Sequence, residues 1–254
     1  MEKKRMIEKM YDVIFRARTR KEEWDIWHKR TLLEIKRIKK LNRLPREISD
    51  ATEIKYYSWL SDEILAITGG KFKNILEVGG GSGAFSFFLS KKNGADCTVL
   101  DNSETALNYA SIVFKDWKAN FVKGDGMNLP FNEESFDFIH SIGLIEHYED
   151  SNIARIVSEM KRVLKKGGFI ILAVPNYFSP DLILLWAKYR KGSERFISVK
   201  SLKKYITSIG LQVIKVGHSN FTFDYRIGKL LPIELEKIIG HCGFGFLNYI
   251  VSKK

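Results

Sequence analysis

Cysteine is scarce. Cys97 and Cys242 are the only two in 254 residues, and they stand far apart. With no CxxC spacing they supply neither a disulfide framework nor a zinc site, so no metal is expected. Cys97 lies inside an apolar strand pattern and reads as a small buried hydrophobe. Long apolar runs are missing too. The longest, Leu182 to Ala187, falls far short of the roughly 18 residues that mark a membrane span. The opening stretch, MEKKRMIEKMYDVIFRARTRK, interrupts its apolar residues with charge, unlike a signal peptide. The expectation is a soluble, reduced, cytoplasmic protein. Acidic excess is also absent: 42 Lys and Arg against 30 Asp and Glu leave a net charge of +12. That surplus permits nucleic acid, an anionic membrane surface or an acidic ligand. It is scattered and not blocked, however, so a charged solvated surface is the plainer account.

At 44% hydrophobic the chain can bury a sizeable core. Residues 1–70 read as a helical, highly charged extension, and 71–254 as a ligand-binding domain. In the extension Trp24, Trp27, Thr31, Ile35 and Ile38 recur at helical spacing, a stripe that docks on the protein's own core or on a partner. Pro45 ends this helix. SDATEIKYYSWLSDEILAI then reads as a second helix with Ser49 and Asp50 as candidate caps, and Gly69–Gly70 closes it.

From Lys73 strand and helix alternate. NILEV, CTVLD, ANFVKGD, FDFIHSI, FIILAVPN, LQVIKVGHS and FGFLNYIVSK are seven strands. Between them, AFSFFLSKKNG, SETALNYASIVFKDW (capped by Ser103), SNIARIVSEMKRVLKKGG and SVKSLKKYITSIG (capped by Ser198 or Ser201) are helices. The fold class is α/β: a doubly wound, mostly parallel sheet with helices on both faces, plus the N-terminal extension. In such sheets ligands bind beyond the carboxyl ends of the strands, where strand order reverses.

At the first strand-to-helix turn the sequence places Gly79, Gly80, Gly81 and Gly83 within five positions. Missing Cβ atoms let a ligand lie on the main chain at a positive helix end. Dinucleotides and S-adenosylmethionine both use such a turn. Gly79, Gly81 and Ala84 fit the relaxed dinucleotide pattern, and Asp101 falls where a ribose-binding acid should. Glu77 precedes the glycines, GDGMNLPF follows the third strand with Asp125 at its end, and SIGLIEHYED follows the fourth. Each acid has a plainer use, Asp101 as a helix cap and Asp125 in a tight turn with Gly126.

The ordered series resembles the class I, Rossmann-like S-adenosylmethionine-dependent methyltransferases, in particular their small-molecule branch, over roughly Lys73 to Lys254. The resemblance implies that Gly79, Gly81 and Gly83 lie under the methionine and ribose of the cofactor. It implies that Glu77 helps hold the methionine amino end and that Asp101 takes both ribose hydroxyls. Asn102 would lie near the adenine edge. Asp125 would accept the adenine amino group, with Gly126 and Met127 beside the ring. Ser141 and Ile142 would face the sulfonium. Gly80 departs from the small or sulfur-containing residue frequent in the family at that place.

Methyl transfer from a sulfonium needs alignment and exclusion of water more than marked catalytic groups. A hydroxyl or amine acceptor benefits from a general base. His147, just beyond the fourth strand, is the candidate, or else a structural ring; Glu146 and Tyr148 are weaker alternatives. The segment Asn176 to Ser198, with Tyr177, Trp186 and Tyr189, occupies the family's lid position or is a plain surface helix. Residues Phe221 to Gly243, with Pro232 opening a short helix, form a second insertion. The extension is expected to cover the cofactor cleft, with Tyr56 or Tyr57 reaching into it. The acceptor is expected to be a small or lipid-like molecule. RNA is the alternative, with the basic extension as its platform; a nicotinamide-dependent oxidoreductase and a cofactor-sensing protein without catalysis are the others. The chain lacks an Asn-Pro-Pro-aromatic motif, a cysteine at a suitable strand end and a paired-glutamate loop. These absences argue against base-amino, cytosine-carbon and arginine methylation.

Overall fold

The computed structural model describes residues 20–176, 178–179, 194–219 and 246–254. Seven strands form one sheet: β1 (Asn74–Val78), β2 (Asp96–Asp101), β3 (Ala119–Lys123), β4 (Phe136–Ile142), β5 (Leu164–Pro175), β6 (Gln212–His218) and β7 (Leu247–Lys253). Their spatial order is β3-β2-β1-β4-β5-β7-β6. Neighbours from β3 to β5 run parallel, and β7 lies antiparallel between β5 and β6. The order reverses between β1 and β4, so the carboxyl ends of these strands frame the switch-point crevice.

Alternation along each strand divides the core into two layers. Leu76, Val78, Leu100 and Ile139 face α5 (Asp150–Val163) and α6 (Val199–Ser208). Ile75, Val99 and Phe138 face α2 (Ala51–Thr68), α3 (Ala84–Asn93) and α4 (Glu104–Phe114). Helix α5 shows why the sequence chose these elements. Ile153, Ile156, Val157, Met160 and Val163 recur every three or four residues and are all buried. The caps are the expected ones. Ser103 Oγ accepts the Ala106 N–H (3.3 Å), Ser198 Oγ accepts the Ser201 N–H (3.1 Å), and Asp50 Oδ1 accepts the Glu53 N–H (3.3 Å). Each such cap contributes about 1 kcal/mol.

Helix α1 (Arg20–Leu41) packs against α4. Ile38 is buried with Tyr109 and Val113, with Ile35 alongside, so the lower part of the stripe docks on the protein's own core. Helix α4 and β3 end two or three residues short of the expected SETALNYASIVFKDW and ANFVKGD, and two further boundaries also differ. Helix α1 stops at Leu41, with Asn42 in the left-handed region (φ 47°). Pro45 opens the following 3-10 turn and does not end the helix. Helix α5 stops at Val163, and LKKGG belongs to β5. Leu164 keeps the helical apolar period, but its backbone pairs with Phe136. The pairing then shifts register to Phe138↔Phe169. A Cβ on Gly168 would stand 2.8 Å from the Asp137 carbonyl oxygen, so only glycine passes there. Tyr177, the apolar run of 182–187, Trp186, Tyr189 and the insertion 221–243 with Pro232 and Cys242 lie outside the described residues. Cys97 is buried, and burial pushes its thiol up to about 12, as an inert core residue requires.

Candidate cofactor and substrate site

The bare turn between β1 and α3 is built under tight steric constraint. Gly79, Gly81 and Gly83 have φ of 72°, 52° and 66°, a region side chains rarely adopt. Gly79 and Gly80 N–H both donate to the Leu100 carbonyl, at 2.9 and 3.1 Å, tying the turn to the end of β2. A Cβ on Gly79 would come within 2.7 Å of Leu144, and one on Gly80 within 2.3 Å of Val99 Cγ1. The glycine at position 80 is therefore a packing necessity. Gly81 is different. A Cβ there would meet only Trp27, at 4.0 Å, so its main chain faces open space.

That space is a cavity of about 770 Å³, within the range of roughly 300–1,000 Å³ typical of small-molecule sites. Its floor is Glu77, Gly79–Ser82, Ala84 and Phe85, with Asp101 at one side and Ile142, Gly143 and His147 at the β4 end. Helix α1 supplies another wall through Trp24, Trp27, Arg30, Thr31, Glu34 and Arg37. Arg46, Glu47, Tyr57 and Tyr109 complete it. A narrow crevice of about 20 Å³ continues between Trp24, Asp101, Asn102, Asp125, Gly126 and Tyr148.

Asp101, 5% exposed, ends β2. Its Oδ2 accepts the Gly81 N–H (3.0 Å) and its Oδ1 the Ser103 N–H (2.9 Å). Burial raises its pKa, opposed by these backbone donors and that of Asn102. Asp125 is exposed, and its Oδ1 accepts the Met127 N–H at 2.9 Å in a tight turn. Met127 packs against the α5 core layer and lines neither space. Ser141 alternates onto the face opposite Ile142 and is buried with its Oγ unpartnered, so of that pair only Ile142 reaches the cavity. Tyr57 lines the cavity, whereas Tyr56 is buried in the core. His147 stands on the 3-10 turn Ile145–His147, its ring 5.5 Å from that of Trp24 and tilted by 50°. Its neighbour Glu146 is 2% exposed. Burial, with Glu194 nearby, pushes the Glu146 carboxyl up to about 8, and Oε2 has no hydrogen-bond partner.

Glu77 is electrostatically unusual as well. It is 5% exposed, and burial pushes its carboxyl up to about 8 despite hydrogen bonds from Ser86 and with a smaller upward push from Asp101. Its Oε2 is buried without a partner on the cavity wall. Beneath it lies His140, wholly buried, with Nε2 2.8 Å from Ser86 Oγ and Nδ1 3.9 Å from Glu77 Oε1. Burial pushes the imidazole down to about 3. At neutral pH both groups are therefore mainly uncharged, and their approach is not an ion pair.

These residues fit an S-adenosylmethionine-type ligand. The orphaned Glu77 oxygen can take an ammonium, Asp101 can accept hydroxyl donors, and the Gly81 main chain leaves room for contact. The extension does wall the cleft, as expected, but sequence reasoning did not single out Arg30, Glu34 and Arg37 in that wall. Trp24, Trp27 and Thr31 were on the stripe, but half of that stripe faces a cavity instead of core. It also missed His140, whose place opposite Glu77 follows from the β1–β4 register.

An open parallel α/β sheet with a bare glycine turn and an acid on the next strand defines a nucleoside-binding protein of the Rossmann-like class. Residues 75–168 match the family model described as a methyltransferase domain. The chain is 32% identical over 188 residues to the ubiquinone/menaquinone biosynthesis C-methyltransferase UbiE of Cereibacter sphaeroides, covering 70% of this chain and 68% of that protein. It belongs to the S-adenosylmethionine-dependent methyltransferase family. The biotin biosynthesis bifunctional protein BioHC of Cellvibrio japonicus is 30% identical over 171 residues, 66% of this chain and 33% of that protein. The chain spans 30% to 55% of the length of the first four curated relatives it matches. The crystal structure of a SAM dependent methyltransferase from Aquifex aeolicus shares the fold, with TM-score 0.58 and 17% identity, covering 82% of this chain and 95% of that one.

Proposed function

We propose that this chain transfers a methyl group from S-adenosylmethionine to a small, amphipathic acceptor. One observation carries the reading: the open main chain at Gly81 joins, in one cavity, a buried carboxyl with an orphaned oxygen and an acid at the neighbouring strand end. Gly79 and Gly81 form the cradle, and Gly83, whose open side faces Phe114 and Val99, shapes the turn. Asp101 accepts the ribose hydroxyls, a charge-assisted arrangement. Asn102, Asp125 and Gly126 form the adenine end, with Met127 packed behind them. Ser141 and Ile142 belong to the sulfonium end, with Ile142 the one exposed to it. Glu77 takes the methionine ammonium.

Bound cofactor supplies an electrophilic methyl on sulfur. The chain's part is to align the acceptor, which can contribute up to roughly 7–11 kcal/mol in the best cases, and to exclude water beneath α1. His147 takes the acceptor proton on a ring nitrogen. Trp24 and Trp27 beside Arg30 and Arg37 suit an acceptor with an apolar body and an anionic or polar end. The names of two relatives, UbiE and the chloroplastic tocopherol O-methyltransferase of Arabidopsis thaliana, point to lipid-like acceptors. The division into a helical extension (1–70) and a cofactor-binding domain (71–254), and a cytoplasmic location, belong to the same reading. Among the described residues no helix is long and apolar enough to cross a membrane.

Calorimetry tests the reading. S-adenosylhomocysteine should bind and NADH should not. Absence of binding by the former, or preference for the latter, overturns it.

A further inference from the structure

Helix α1 has two working faces. One lines the cavity. The outer one carries Lys29, Leu33, Lys36 and Lys40 at spacings of three, four or seven residues, hence along one stripe, with Arg37 at its border with the cavity face. All five are exposed, Leu33 at 66%. Leu41 (46%) and Leu44 (50%) extend the apolar part, and Lys39 and Arg43 the basic part. The only acid among residues 26–43 is Glu34, which lines the cavity. Among the described residues the only ion pair on this stripe is Arg37 with Glu34, a loose 3.9 Å. So much unpaired positive charge beside exposed leucines is not explained by packing or by solubility alone.

We infer that the outer face of α1 docks the protein on an anionic lipid bilayer, lysines against headgroups and leucines among the upper acyl chains. Charge complementarity selects the occupant. Basic residues flanking exposed leucines on one helix make an interfacial helix, and each adds attraction to a negative leaflet. A nucleic acid fits less well, because the apolar residues here are leucines, which do not stack on bases. Arg30 and Arg37 lie where this face meets the cavity wall. Docking therefore brings that edge of the cavity towards the bilayer, where an amphipathic acceptor resides. That consequence rests on the proposed methyl transfer; the docking itself does not.

The test is flotation of the full chain with phosphatidylcholine vesicles, with and without about one third phosphatidylglycerol. Binding is expected only to the anionic vesicles, weakened by salt. Lys36→Glu with Lys40→Glu should lower partition by more than about tenfold, and Leu33→Asn by roughly fivefold. These positions do not line the cavity, so the variants should bind S-adenosylhomocysteine as the parent does, which also verifies folding. No binding to anionic vesicles, or undiminished binding by the double variant, overturns the inference. So does indifference to vesicles with salt-sensitive binding of duplex RNA. Loss of S-adenosylhomocysteine binding with flotation intact would strike the proposed function and leave the docking face standing.

Discussion

Replacing Glu77 with glutamine should stabilise the free protein, and the gain should grow with pH. In the unfolded chain this carboxyl titrates near its ordinary value of 4.5, and in the folded chain at about 8. Between these values the native state holds a proton that the unfolded state has released. Stability therefore falls as pH rises through that window. Each pKa unit corresponds to about 1.4 kcal/mol, so going from pH 5 to pH 8 costs the parent about 3–4 kcal/mol at this one residue. Glutamine has nothing to ionise and is spared. Glu53 and Glu146 are also pushed up, to about 7 and about 8, both chiefly by burial. They are present in both proteins and cancel in the comparison. Urea unfolding of parent and variant at pH 5 and pH 8 reads the difference directly. Equal stability gaps at the two pH values would refute the electrostatic account. The cofactor-binding role predicts the opposite effect on ligand. A carboxylate is needed opposite an ammonium, so binding of S-adenosylhomocysteine at pH 7 should release close to one proton. Calorimetry in two buffers of different ionisation enthalpy measures it. Glu77→Gln should abolish the release and weaken binding.

Asp101→Ala should weaken S-adenosylhomocysteine at least tenfold, about 1.4 kcal/mol, and unchanged calorimetric affinity would remove the ribose assignment. Some of that loss should appear as a more mobile loop, because Gly81 and Ser103 each donate to this carboxylate. His147→Ala should lower kcat with little change in cofactor affinity, and unaltered turnover would end its role as base. Gly79→Ala combines a φ of 72° with a Cβ 2.7 Å from Leu144. It should destabilise by about 1–3 kcal/mol, and a thermal midpoint equal to the parent's would contradict the steric argument.

The site was unevenly legible beforehand. Gly79, Gly81 and Asp101 stood out, because a turn that brings main chain close to a ligand must discard Cβ atoms, and a strand-end acid has a fixed place along the chain; Glu77 was singled out only by the family resemblance. Gly80 looked like a departure from pattern. Its reason is Val99 of β2, a neighbour that no local reading supplies. Ser141 and Ile142 looked equivalent, yet strand alternation sends one to each face of the sheet. Whether His140 or His147 faces the cavity depends likewise on which layer each enters.

Sequence alone determined the element order, the α/β class and the glycine turn, since apolar period, caps and backbone freedom are local properties. Tertiary structure alone decided that half of the α1 stripe walls a cavity and half packs on α4. It also decided that Glu77 is desolvated with one oxygen orphaned, and where β5 begins. Those outcomes depend on what lies across from each residue, and burial and Coulombic fields are sums over neighbours distant along the chain.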